Sequence, residues 1–174
     1  MAEIPDRQRS VSRLSLRHEY WSENRQFLVE HGALLLRTYR QRTGRYLIEP
    51  SDDLELDAQR LFEAPFVVVS GGAEAEQILN YGNMTALGLW EMDWDTLTQT
   101  PSKETAEPIH QAQRAEFLRQ VKATGFIDDY TGIRISRTGR RFQIKQATVW
   151  NVTDARDLYL GQAATFSDWE FESS

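Results

Sequence analysis

The segment that most narrows the possible folds lies near the C-terminus. Between residues 130 and 167, three period-two stretches follow one another with only short polar turns between them. Ile133 and Ile135 alternate with Arg134 and Ser136, and Arg137-Thr138-Gly139 supplies a tight turn with a glycine free to take positive φ. In the next stretch, 141–151, Phe142, Ile144, Gln146, Thr148 and Trp150 are predicted on one face. Gln143, Lys145, Ala147, Val149 and Asn151 fall on the other. After a turn over Thr153–Asp157, the stretch 158–167 places Leu160, Gln162, Ala164 and Phe166 together. Parallel neighbours need a crossover of a dozen or more residues, so turns this short dictate an antiparallel meander. A helical bundle and a doubly wound parallel sheet are both excluded.

Upstream, Phe66-Val67-Val68-Val69 is a β-branched run suited to a strand covered on both faces, ended by Gly71-Gly72. A second strand is expected over 77–81, and Asn83 is placed to cap the helix carrying Leu87 and Trp90. Trp94–Leu97 and the segment capped by Ser102 read as further helical turns. Pro108 opens a longer helix over 109–124, with Phe117, Leu118 and Val121 as its buried stripe and Gly125 as its stop. The order gives an α+β domain over 64–170, a five-stranded antiparallel sheet with helices on one face. Ahead of it, residues 16–63 are predicted to form flanking helices, with Leu28, Leu35 and Tyr39 on one stripe, Gly32 as a candidate break and Gly44 as the stop. Leu54, Ala58, Leu61 and Phe62 form a second stripe behind a Ser51 cap. Residues 1–15 are expected to be a flexible basic tail and 171–174 a short second tail.

The chain has no cysteine among its 174 residues, which removes disulfides, zinc–thiolate centres, iron–sulfur ligation and thiol nucleophiles. There is no apolar run near 18 residues and no signal-like core in MAEIPDRQRS, so a cytoplasmic protein that does not enter a membrane is expected. The net charge of −6 is uneven. Residues 1–45 hold nine Lys and Arg against five Asp and Glu; residues 46–174 hold eleven against twenty-one. An acidic body repels phosphate backbones, so no nucleic-acid partner is expected, and Arg7, Arg9, Arg13 and Arg17 read as solvated charges.

Four segments together carry a resemblance: APFVVVSGG, ILNYGNMTALGLWEMDW, GFIDDYTGIRISRTGRRFQIKQATVWNV and GQAATFSDW. They resemble the MEKHLA domain, a PAS-like family, in its small bacterial and cyanobacterial form, over about residues 30–170. The literal Met-Glu-Lys-His-Leu-Ala is missing from this chain. The resemblance implies a PAS-like sheet with a helical shell and a regulatory role through protein contact or small-molecule sensing. It brings no catalytic residue with it.

A cysteine-adduct flavin is excluded by composition. Non-adduct flavin, for which Gln162 on the last strand is the suitable amide, is not expected, and haem is not expected from His110 beside Gln111 and Gln113. No metal-ligand spacing and no phosphate loop occur. Asp128 and Asp129 are adjacent, and a strand would point them to opposite faces, so they make no proton-sharing dyad. The candidate pocket-lining residues are Asn80, Trp90, Trp94, Tyr130, Gln146, Trp150 and Gln162, and the candidate interaction surface is Leu28, Leu35 and Tyr39. The leading expectation is a regulatory module that binds a protein partner or itself. The second is a sensor of a small apolar or aromatic ligand, and a small acid–base enzyme ranks third.

Overall fold

The structure, a computed structural model, describes the backbone of residues 6–173 and the side chains of residues 19–107 and 111–173. Helix α1 spans Asp6–Thr43, so the expected tail is helical in its backbone from Asp6, while residues 1–5 lie outside the described residues. The side chains of Arg7, Arg9, Arg13 and Arg17 lie outside them too. Gly32 does not divide α1. The non-helical residue is Asn24 (φ −118°), whose side-chain amide donates to Tyr20 O at 3.2 Å. At Gly32 a Cβ would sit 3.0 Å from Ala58 Cβ, so the glycine lets α2 (Leu54–Phe62) dock closely on α1. The cap of α2 is Asp53, not Ser51: its carboxylate accepts from Glu55 N and Leu56 N, and Leu54 starts the helix exposed to solvent.

Five strands follow the expected order, β1 (Val67–Gly71), β2 (Leu79–Gly82), β3 (Phe126–Ile135), β4 (Arg141–Thr153) and β5 (Tyr159–Phe166), and a sixth beyond those expected, β6 (Asp168–Phe171), joins them. All pairings are antiparallel, in the order β2-β1-β5-β4-β3, with β6 beside β4. The expected C-terminal tail therefore begins one residue late, since Phe171 ends a strand. Between β2 and β3 run α3 (Met84–Trp90), α4 (Trp94–Leu97), a 3₁₀ turn (Ser102–Thr105) and α5 (Pro108–Thr124). The 3₁₀ turn has no side-chain cap; Ser102 is used elsewhere.

The two sheet faces bury different cores. Val68, Trp150, Val152 and Ala163 face Leu28, Leu35, Tyr39, Leu61 and Phe62 of the flanking helices. Val67, Phe142, Ile144, Ala147 and Phe166 face Ala86, Leu89 and Trp90 of α3. One residue makes this division possible. Gln146 is an exposed bulge at φ 51°, and across it the β3 partner slips from Ile144↔Gly132 to Ala147↔Tyr130. The alternation of β4 therefore reverses: Phe142 and Ile144 share a face with Ala147 and Val149, while Trp150 turns to α1. The single face predicted for Phe142 through Trp150 is corrected by this bulge. β5 and β6 keep one register along β4 on either side of Ser167, opposite the bulge. Where β1 meets β5, Gly161 has φ +142°, and a Cβ there would lie 1.9 Å from Gly71 O. No other residue allows that approach.

Among the described residues, no helix is long and apolar enough to cross a membrane.

Candidate functional site

A cavity of about 70 Å³ lies over the sheet beneath α5. Its apolar wall is Val69, Ile144, Val149, Ala164 and Phe166 from three strands, with Phe117 and Leu118 from α5 above. Its polar wall is Ser102, Arg114, Arg134, Tyr130 and Gln162. Such a volume holds roughly five water-sized atoms, taking about 10–15 Å³ for each.

The helix pattern explains how an arginine reaches this interior. Arg114, Phe117, Leu118 and Val121 fall at i, i+3, i+4 and i+7 of α5, one stripe turned to the sheet. Arg114 is buried, and its Nη2 donates to Ser102 Oγ at 2.7 Å, which donates in turn to Gln77 Oε1 at 2.8 Å. Arg134 comes from β3 and is also buried. It donates to Ile133 O at 2.8 Å and to Tyr130 Oη at 3.2 Å. Tyr130 lies stacked on Phe117 with centroids 3.8 Å apart. Burial, and after it the neighbouring charge of Arg134, hold the Arg114 guanidinium down to about 10, so it stays charged at neutral pH. Arg114 and Arg134 also line an open cleft of about 500 Å³ on the outer side of α5, so they stand between cavity and solvent.

The residues singled out from the sequence separate into distinct places. Trp90, Tyr130 and Gln162 line the cavity. Trp90 lies edge-on to Phe142 and Phe166, and its buried indole Nε1 has no hydrogen-bond partner. Gln162 Nε2 donates to Leu118 O at 2.9 Å and to Asn151 Oδ1 at 3.3 Å, which ties β5 to α5. Asn80, Trp94, Gln146 and Trp150 do not line it. Gln146 is the exposed bulge. Trp150 lies beneath α1, with Nε1 donating to Thr38 Oγ1 at 3.0 Å and its ring edge-on to Tyr39. Trp94 packs in an aromatic group with Phe27, Phe62 and Tyr81. Neither Arg114 nor Arg134 is among the pocket residues expected from the sequence.

Asn80 belongs to a polar bridge between α1 and the sheet. Ser70 Oγ donates to Asn80 Oδ1 at 2.6 Å, which leaves its lone pairs to accept from His31 Nε2 at 2.8 Å. His31 is sandwiched between Phe27 and Tyr81, and burial pushes its imidazole down to about 4. The unfolded chain takes up this proton near pH 6.5, whereas the native protein resists it until about 4. Stability is therefore full above pH 6.5 and falls as the pH drops from 6.5 to 4, by about 3 kcal/mol. Urea unfolding across that window should lose this slope in His31→Gln. An unchanged slope in the variant would assign the pH dependence elsewhere.

The other expected roles fare as follows. Leu28, Leu35 and Tyr39 are buried against the sheet, so the expected partner seam is consumed inside the chain. Asp128 accepts from Thr148 Oγ1 and pairs with Arg45 at 2.8 Å, which holds its carboxyl below the usual range. The His110 side chain lies outside the described residues. Among the described residues, no group of three acidic or histidine side chains could hold a metal ion.

The model of the MEKHLA domain matches residues 29–171. The chain belongs to the MEKHLA family. Solved structures similar to this MEKHLA chain are PAS and light-oxygen-voltage domains. A PAS domain from Colwellia psychrerythraea aligns at a TM-score of 0.57 and 12% identity, covering 64% of this chain and 92% of that one. An RNA-binding light-oxygen-voltage receptor aligns at 0.57 and 11%, covering 68% of this chain and 36% of the receptor. A light-oxygen-voltage domain described with a flavin analogue aligns at 0.53 and 13%, covering 67% and 84%. At these identities the likeness is one of fold. No curated protein matches the MEKHLA chain. The fold is the one shared with these PAS and light-oxygen-voltage domains.

Proposed function

We propose that this MEKHLA chain is a regulatory module that senses a small molecule held between its sheet and α5. The observation that carries the reading is the cavity with a mixed wall, apolar from β1, β4 and β5 and polar from α5 and β3. Interior cavities of a packed domain are costly, and a few convergent polar groups on an apolar wall are the usual make-up of a ligand site. Protein contact then serves as the output of the module rather than as its whole activity, since the Leu28, Leu35 and Tyr39 stripe is buried. We read the ligand as smaller than the flavin named with one of the light-oxygen-voltage neighbours. A ligand of that size needs roughly 300 Å³ or more, against about 70 Å³ here, and there is no cysteine for an adduct.

Native mass spectrometry of the full chain, equilibrated with the small-molecule fraction of a cell extract, tests the reading. The expected spectrum shows one small molecule retained per chain. The Ala164→Leu variant, which fills the cavity from β5, should retain none while its circular dichroism stays that of the native protein. A bare chain mass for the wild type would overturn the reading.

A further inference from the structure

We infer that the cavity is a site for a small organic anion, a short-chain carboxylate, with its charge between Arg114 and Arg134 and its alkyl end against Val69 and Val149. The inference rests on the reading of the cavity as a sensing site and names the class of ligand.

Its basis is an imbalance of charge. Two guanidinium groups are buried side by side, and neither is in any of the ion pairs formed among the described residues. Buried charges are normally paired, and two like charges brought together out of water repel. Hydrogen bonding does not compensate. Each guanidinium carries five N–H donors, and the protein acceptors named for the two are Ser102 Oγ, Ile133 O and Tyr130 Oη, all uncharged. Glu116, which lines the outer cleft beside Arg114, is engaged by Arg119.

A second observation is independent of the arginines. Trp90 lines the same cavity, and its indole N–H is buried without an acceptor. A donor in that state costs free energy until a ligand supplies an oxygen. The cavity thus has a surplus of donors and positive charge, no anionic acceptor, and an apolar opposite wall. A carboxylate supplies two acceptor oxygens and the missing negative charge, and it matches the planar fork of arginine. The volume restricts the whole ligand to roughly five non-hydrogen atoms, the size of propionate or butyrate.

Isothermal titration of the full-length protein with sodium propionate and sodium butyrate, beside propionamide and 1-propanol, tests the inference. The acids should bind, and the neutral analogues should bind on the order of tenfold or more weakly. Arg134→Gln should lose the same factor for the acids and little for the alcohol. The anion-free Arg134→Gln protein should melt at or above the wild-type temperature, because one of two repelling charges is gone, and butyrate should no longer raise that temperature. A purely structural Arg134 would give the opposite pair: a lower midpoint with an undiminished response to butyrate. Equal binding of acid and amide, or wild-type acid affinity in Arg134→Gln, would overturn the anion site and leave the sensing reading standing. Failure of every probe, together with a bare chain in the mass spectrum, would overturn both.

Discussion

Leu35→Asp will unfold this protein rather than release a partner from it. Leu35 is fully buried in the C-terminal third of α1 and belongs to the core formed with Leu61, Phe62, Val68 and Trp150. Truncating such a leucine costs about 2–5 kcal/mol before any charge is considered. An aspartate adds the cost of a carboxylate among apolar groups with no cation designed for it. The sum is comparable with the whole stability of an ordinary domain, about 5–15 kcal/mol. Circular dichroism should show helix and sheet signals lost together at room temperature, with Leu35→Ala folded but several degrees less stable. A folded Leu35→Asp protein with an altered sedimentation coefficient would restore the stripe to the surface and refute the assignment of α1 to the core.

Asn83→Ala should cost about 3 kcal/mol, well beyond the roughly 1 kcal/mol of a helix cap. Asn83 does cap α3, accepting from Ala86 N at 3.0 Å, but the same oxygen also accepts from Val68 N at 3.1 Å. Its amide donates to Phe66 O at 2.8 Å and Leu61 O at 3.2 Å. One fully buried side chain therefore joins the end of α2, the entry to β1 and the start of α3. Removing it takes a partner from Val68 N, Ala86 N and Phe66 O in the interior, while Leu61 O keeps Ala64 N at 3.3 Å. Asn83→Asp keeps both accepted bonds and points an anion at two carbonyls, so it should not rescue. Urea unfolding should show a lower midpoint at unchanged slope for both variants. A loss no larger than that of an exposed cap would mean the α2 and β1 contacts carry nothing.

The element order was legible because it depends on local signals: turn chemistry, period-two alternation, and Asn83 and Gly125 at helix ends. The bulge at Gln146 was not legible. A one-residue slip is chosen by the competition between two cores for the side chains of β4, and both registers place apolar residues inward. That is why Gln146 and Trp150 were assigned to the wrong face. The capping of α2 was misjudged for a similar reason, since Ser51 and Asp53 are both good cap residues and only the docking on α1 selects between them. The cavity was half legible. Trp90, Tyr130 and Gln162 carry the aromatic and amide signal, but Arg114 has no place in the expected pocket. Its spacing to Phe117, Leu118 and Val121 placed it on the buried stripe of α5 all along, and a charge on an apolar stripe is the signal to follow.

The reversal of alternation in β4 has a mechanical consequence. Val149 faces the cavity, and Trp150, the next residue, faces α1. The two compartments are separated by a partition one strand thick. A close-packed interior has little slack to absorb a displacement, so pressure on Val149 is pressure on Trp150. Trp150 in turn is fastened to Thr38 and braced against Tyr39, both in the last turns of the longest helix of the chain. The same helix is held along its inner face by Leu28, by Leu35 and by the close approach of α2 at Gly32. The strand that walls the cavity is thus also the floor beneath α1, one layer of backbone shared by two compartments.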